Sequence, residues 1–185
     1  MEAATLKVAE EAGARAEFVR DVVEAATSMY EVDEYWRCAV RCVSEHDGRR
    51  CGAQVEVMTP QDDIHSMQWR CLSCGDDGAV TALDATNHDL SMYVPPEDFL
   101  QWRLDEDERA LLWRQTAQLP ELRAVIVRAS PLPDEPSIYR VPAALEELDE
   151  IYTLIEELSD VLSNRRDKDL LDGIRESLCV TMDGF

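Results

Sequence analysis

Over residues 14–30 the apolar side chains Phe18, Val22, Ala25, Ala26 and Met29 recur at steps of three and four, the spacing that gathers one face of an α-helix. The pattern predicts an amphipathic helix whose stripe packs on the protein's own core, the commoner fate of such a stripe than binding a partner. From Tyr35 the texture changes. Alternating residues over Tyr35–Val43 and Ala53–Met58 predict short strands. Pro95 and Pro96, followed by Glu97 and Asp98, predict a helix start, because proline's missing donor is harmless in a first turn and acids suit the helix dipole. Asp105 with Glu108 three residues on has the form of a capping box, which divides this stretch into helices over Phe99–Arg103 and Glu106–Gln118.

Ala124–Val127 and Ile138–Val141 are short apolar runs on either side of the proline-rich stretch Ser130–Ser137. They predict a hairpin with a rigid exposed loop, the alternative being a plain connector. Beyond Pro142, the residues Leu148, Ile151, Ile155, Leu158 and Leu162 alternate steps of three and four in an a/d seam. Asn164–Asp167 interrupts it, and Leu170, Leu171, Ile174 and Leu178 resume it, which predicts a helical hairpin ending before Asp183. Leu145, Leu154 and Val161 widen the apolar surface sideways. Either a second copy of the chain covers it as a homodimer, or the helices at 14–30 and 106–118 do so from within.

These elements make an α+β chain of 185 residues in four segments. An N-terminal helix (1–34) precedes a small antiparallel module (35–94); helices with a short β-hairpin (95–141) and the C-terminal helical hairpin (142–185) form a mainly helical remainder. Apolar residues are 45% of the chain and charged residues 31%, the balance of a folded domain and not of a disordered tail.

The formal charge of −21, from 39 acidic against 18 basic side chains, repels phosphate backbones and acidic membranes and favours a partner with a basic surface. No segment reaches the roughly 20 apolar residues needed to span a bilayer. The N-terminus carries neither a basic leader nor the apolar run of a signal peptide, so a cytoplasmic protein with reduced thiols is expected. In that setting a cysteine cluster points to metal and not to disulfides.

Five of the six cysteines fall between Trp36 and Leu83. Cys71 and Cys74, two residues apart and followed by Gly75, make a knuckle that presents two thiolates to one metal. The partner pair is either Cys42 and Cys51, with Gly52 after the second cysteine, or Cys38 and Cys42, supported by the repeated Trp-Arg-Cys at Trp36–Cys38 and Trp69–Cys71. The first pair is preferred. It makes Ser44–Arg50, with Asp47 and Gly48 at its tip, an enlarged first knuckle. The expected ligands are therefore Cys42, Cys51, Cys71 and Cys74; His46 in the same loop is read as solvated.

On Cys42, Cys51 with Gly52, and Cys71, Cys74 with Gly75, the chain resembles the zinc-ribbon superfamily over about a quarter of its length. It departs from the common pattern in the eight residues between Cys42 and Cys51. The resemblance implies a structural zinc ion held between two knuckles on short antiparallel strands, and little about activity. Four thiolates also fill a tetrahedral shell, leaving no position for a catalytic water.

The histidines His46, His65 and His88 stand in no catalytic motif, and the chain has no phosphate-binding or nucleophile signature. The expectation is a non-catalytic interaction or regulatory protein. The competing expectation is a nucleic-acid-binding ribbon that uses Arg37, Arg41, Arg49 and Arg50, although the charge of the thiolates would cancel that local surplus.

Overall fold

A computed structural model of the chain describes residues 2–29, 33–83, 88–93 and 99–183, with the backbone alone for 2–12. The fold is α+β and divides into two compact units, Met1–Ser91 and Met92–Phe185. Segments 1–34 and 35–94 thus share the first unit up to residue 91, and 95–141 and 142–185 share the second. Among the described residues no helix is long and apolar enough to cross a membrane.

In the first unit the helix α1 (Glu2–Thr27) packs on an antiparallel sheet of order β1-β4-β5-β6, made of Trp36–Arg41, Gln54–Met58, Ser66–Arg70 and Asp77–Thr81. A separate two-stranded ribbon, β2 (Glu45–His46) with β3 (Arg49–Arg50), lies between β1 and β4 in sequence. The stripe Phe18, Val22, Ala25 and Ala26 is buried against Cys38, Val55, Val57, Met67 and Trp69, so it serves the chain's own core. Phe18 meets the Trp69 ring edge-on, 4.8 Å between centroids at 81°. Trp69 pairs across the sheet with Gly78, where an added Cβ would fall 2.8 Å from the indole nitrogen. Only glycine leaves room for that ring. The expected helix end at Tyr30 lies outside the described residues; α1 closes at Thr27, whose hydroxyl donates back to the Val23 carbonyl.

The second unit follows the order β7 (Leu100–Asp105), α2 (Glu106–Gln115), α3 (Pro120–Val127), β8 (Ser130–Pro131), β9 (Ile138–Ala143), α4 (Leu145–Val161) and α5 (Arg165–Asp183), with a sheet of order β7-β9-β8. Two segments differ from the sequence expectation. Phe99–Arg103 is not helical: Leu100, Trp102 and Leu104 alternate with exposed Gln101, Arg103 and Asp105, a period of two that places Trp102 and Leu104 in the core and pairs the whole segment with β9. The helix start expected at Pro95 lies outside the described residues. Ala124–Val127 is likewise not a strand but the second half of α3, which starts with Pro120 at its first turn and is buried from Leu122 to Val127. A short apolar run reads the same whether a strand or a fully buried helix contains it, and here the proline start and the burial on all sides belong to a helix. The hairpin across the proline-rich loop therefore joins Ser130–Pro131 to β9.

Asp105 caps α2 as its spacing predicts. The Glu108 amide donates to the Asp105 carboxylate (2.8 Å) and the Asp105 amide to the Glu108 carboxylate (2.9 Å). Helix α2 closes three residues earlier than expected, at Gln115. The C-terminal hairpin forms from α4 and α5. Its seam residues Leu148, Ile151 and Ile155 are buried within the unit, where α4 packs on α3 and α5, and Leu171, Ile174 and Leu178 of α5 are buried with them. Arg128, immediately after α3, is fully buried and forks onto both Glu147 oxygens at 2.9 Å, with the Tyr93 carbonyl accepting from its other nitrogen. Burial lowers its pKa, and Glu147 opposes that shift.

Candidate metal centre

Two of the connections in the first sheet are built alike. Cys42 follows the last residue of β1 and Cys71 the last residue of β5, while Cys51 and Cys74 each stand three residues before the next strand. In the shorter knuckle the Gly75 amide donates to the Cys71 carbonyl (2.9 Å) and the Cys71 amide to the Asp76 carbonyl (2.7 Å). In the longer one the Gly52 amide donates to the Cys42 carbonyl (3.1 Å) and the Cys42 amide to the Ala53 carbonyl (2.7 Å). The two knuckles close with the same pair of bonds, although one has two residues between its cysteines and the other eight. Gly52 (φ +66°) and Gly75 (φ +75°) supply the left-handed backbone that each closure needs.

The extra residues of the longer knuckle are taken up by the β2–β3 ribbon. Its turn residues Asp47 (φ 52°) and Gly48 (φ 72°) are both left-handed, the conformation of the two-residue turn that matches strand twist. All four strand residues are exposed, and Glu45 faces Arg50 while His46 faces Arg49.

These closures bring the sulfurs of Cys42, Cys51, Cys71 and Cys74 within 4.8 Å of one another. Cys42 and Cys74 are 3.7 Å apart, as are Cys51 and Cys71. Those spacings are far from the roughly 2.0 Å of a disulfide. They match a tetrahedron with bonds of about 2.3 Å to a central metal, whose edges are about 3.8 Å. The donor set can hold one metal ion, and its arrangement on paired strand ends fits a zinc-ribbon-like site.

Hydrogen bonds to and across the sulfurs supply the surroundings. The Ala53 amide donates to Cys51, holding that thiol down at about 7 against burial, with Cys74, Cys71 and the Ser73 hydroxyl adding smaller effects in the same direction. At Cys74 the Asp76 amide acts downward, but burial and the neighbouring thiols push the group up to about 12. Burial raises Cys71 as well. Thiols this close compete for protons, since a thiolate at one position disfavours another beside it. Ser44 of the first knuckle hydrogen-bonds the Asp76 carboxylate beyond the second. Nothing in the spacing points to Ser44, Ser73 and Asp76, because Ser44 meets Asp76 across 32 positions of the chain and Ser73 meets Cys51 from the opposite knuckle.

Cys38 is placed elsewhere. It sits in the middle of β1, fully buried in the apolar core, 3.5 Å from the Val55 carbonyl. His46 is exposed on β2, and Cys179 belongs to the second unit. His88 contacts Glu24 through Nδ1 at 3.1 Å. The chain matches no protein-family model, no curated protein and no solved structure.

Proposed function

We propose that this chain is a non-catalytic interaction protein whose first unit is organised by one structural zinc ion bound to Cys42, Cys51, Cys71 and Cys74. The observation that carries the reading is the sulfur cluster, with spacings of 3.7 Å and two knuckles closed by matching hydrogen bonds. Zinc suits four thiolates in a tetrahedral arrangement, and four protein ligands fill its shell, which is the design of a structural site. An ion of this kind contributes on the order of 10 kcal/mol to the folded state. That is ample for a sheet of four short strands. The acidic surface, from a formal charge of −21, favours a partner with a basic face. Metal analysis of the purified chain tests the first part: one zinc per chain is expected, and a folded first unit without metal rejects it.

A second reading, nucleic-acid binding through the first knuckle, has one observation in its favour. Among the described residues, Arg49 and Arg50 have no carboxylate within 4.0 Å, and both are exposed. Against it, the two arginines pair with different cross-strand neighbours and so lie on opposite faces of the ribbon, with Glu45 beside Arg50. Fluorescence anisotropy with duplex DNA and with RNA at physiological salt decides between the readings. The first predicts no useful affinity; tight binding that Arg49→Ala with Arg50→Ala abolishes would establish the second.

A further inference from the structure

We propose that the groove between the start of α3 and the exposed side of α4 docks a cationic amphipathic segment of a partner protein. The inference rests on the interaction part of the reading above and is independent of the metal, because the groove is lined wholly by residues of the second unit and the four clustered cysteines belong to the first.

The groove encloses about 460 Å³ and is lined by Leu119, Pro120, Glu121, Leu122, Glu150 and Thr153. That volume is within the range of about 300–1,000 Å³ typical of sites that take up apolar groups. Leu119, the residue that precedes α3, is 39% exposed. The apolar end of the groove thus offers an anchor point, and the α4 side supplies the charge.

Helix α4 carries seven carboxylates and no cationic side chain. Among the described residues only one of the seven, Glu147, has a cation within 4.0 Å, namely Arg128. Glu146, Glu150, Thr153 and Glu157 follow one another at steps of four, three and four, so Glu146 and Glu157 continue the face on which Glu150 and Thr153 line the groove. Like charges one turn apart repel by a few tenths of a kcal/mol per pair. Among the described residues no cation within 4.0 Å of Glu146, Glu150 or Glu157 offsets that repulsion, and a lysine or arginine row on a docked helix would relieve it. Apolar anchors with cations at matching intervals describe an amphipathic basic helix laid in a groove. A second copy of this chain fits poorly, because a two-fold contact through this face would set one α4 against another. A nucleic acid would be repelled outright.

The experiment measures anisotropy of a labelled helical peptide of leucine and lysine, leucines on one face, with the zinc-loaded full chain, against the same peptide with glutamate for lysine. Binding of the lysine peptide alone is expected, weakened about tenfold or more by Glu121→Lys with Glu150→Lys, as loss of close charge pairs does at interfaces. Leu119→Ser weakens it at constant charge. Asp134→Lys with Glu135→Lys, an equal charge change on an exposed loop, leaves it nearly unchanged, and circular dichroism verifies the fold of each variant. Equal weakening by the loop and groove pairs overturns the inference as diffuse charge attraction. So do indifference to the groove variants, which leaves the interaction reading standing with its contact elsewhere, and failure of the lysine peptide to bind. A dimer in light scattering that Leu119→Ser dissociates would hand the groove to a second copy and also overturn it. A chain lacking zinc would sink the metal reading and leave this one intact.

Discussion

Cys38 and Cys71 each end a Trp-Arg-Cys triplet, yet only Cys71 reaches the sulfur cluster. The difference is where the strand stops: β5 ends at Arg70, so Cys71 opens a turn, whereas β1 continues to Arg41 and keeps Cys38 in the core. Cys71→Ser and Cys74→Ser are therefore expected to abolish metal binding, and Cys38→Ala to retain one metal per chain with a lower melting temperature. Metal stoichiometry with a melting curve for each variant checks this; a metal-free Cys38→Ala protein that still folds would exchange the roles. At Arg128 the balance of effects is different. Its guanidinium is out of water and forked onto Glu147, so Glu147→Gln removes the carboxylate charge that faces this buried cation. The expected cost is about 3 kcal/mol in urea unfolding, since breaking one side of a buried pair exceeds the net worth of the pair. Replacing both with apolar residues of similar volume is expected to cost less.

Among the elements, the first knuckle is the most informative, because its hydrogen bonds separate the residues that close it from the additional residues between its two cysteines. Gly52 and Ala53 bond Cys42 as Gly75 and Asp76 bond Cys71, and the β2–β3 ribbon buries none of its four strand residues. Replacing residues 43–50 with the two-residue linker Leu-Ser of the second knuckle is thus expected to preserve one metal per chain and the far-ultraviolet circular dichroism spectrum. Loss of metal from that variant would show that the ribbon holds the ligands in place. The other elements divide by how local their causes are. The capping box at Asp105, the turn at Asp47–Gly48 and the seam of α4 rest on neighbours a few residues away, and each was readable from spacing. Strand β7 is not legible in the sequence because the proline pair and acids that precede it have the form of a helix start, and α3 is not because burial on all sides removes the polar face that marks a helix.

For the whole molecule, division into two units with separate cores makes metal removal a selective perturbation. The first unit carries the cluster of four sulfurs at the ends of its short strands; the second is built on Trp102, Leu111, Leu112, Ile126, Tyr139 and the α4–α5 seam, with no part of that cluster. A strong chelator is expected to unfold the first unit and leave the second folded, giving a calorimetric transition that zinc restores and another that it does not move. The signature in circular dichroism is a partial loss of helix, since α4 and α5 persist while α1 loses the sheet it packs on. A single transition carrying the full amplitude, equally sensitive to the chelator, would contradict the division.

The sequence alone determined the features that act over short distances: the α+β character, the stripe of α1, the knuckle at Cys71 and Cys74, the Asp-Gly turn, the cap at Asp105 and the helical hairpin. It also bounded charge and cysteine chemistry, which depend on composition. It left two partners open for the Cys71–Cys74 pair, because spacing constrains a knuckle far more than it constrains which knuckle lies opposite. Only the tertiary structure decided that Cys42 and Cys51 approach Cys71 and Cys74 while Cys38 stays in the core, that β7 pairs with β9 across more than thirty residues, and that the α4 seam is buried by α3 and α5. Those outcomes turn on strand ends, register and competition for buried surface, which arise only when distant segments meet. A hydrogen bond such as Ser44 to Asp76 exists only after that meeting, and no local pattern encodes it.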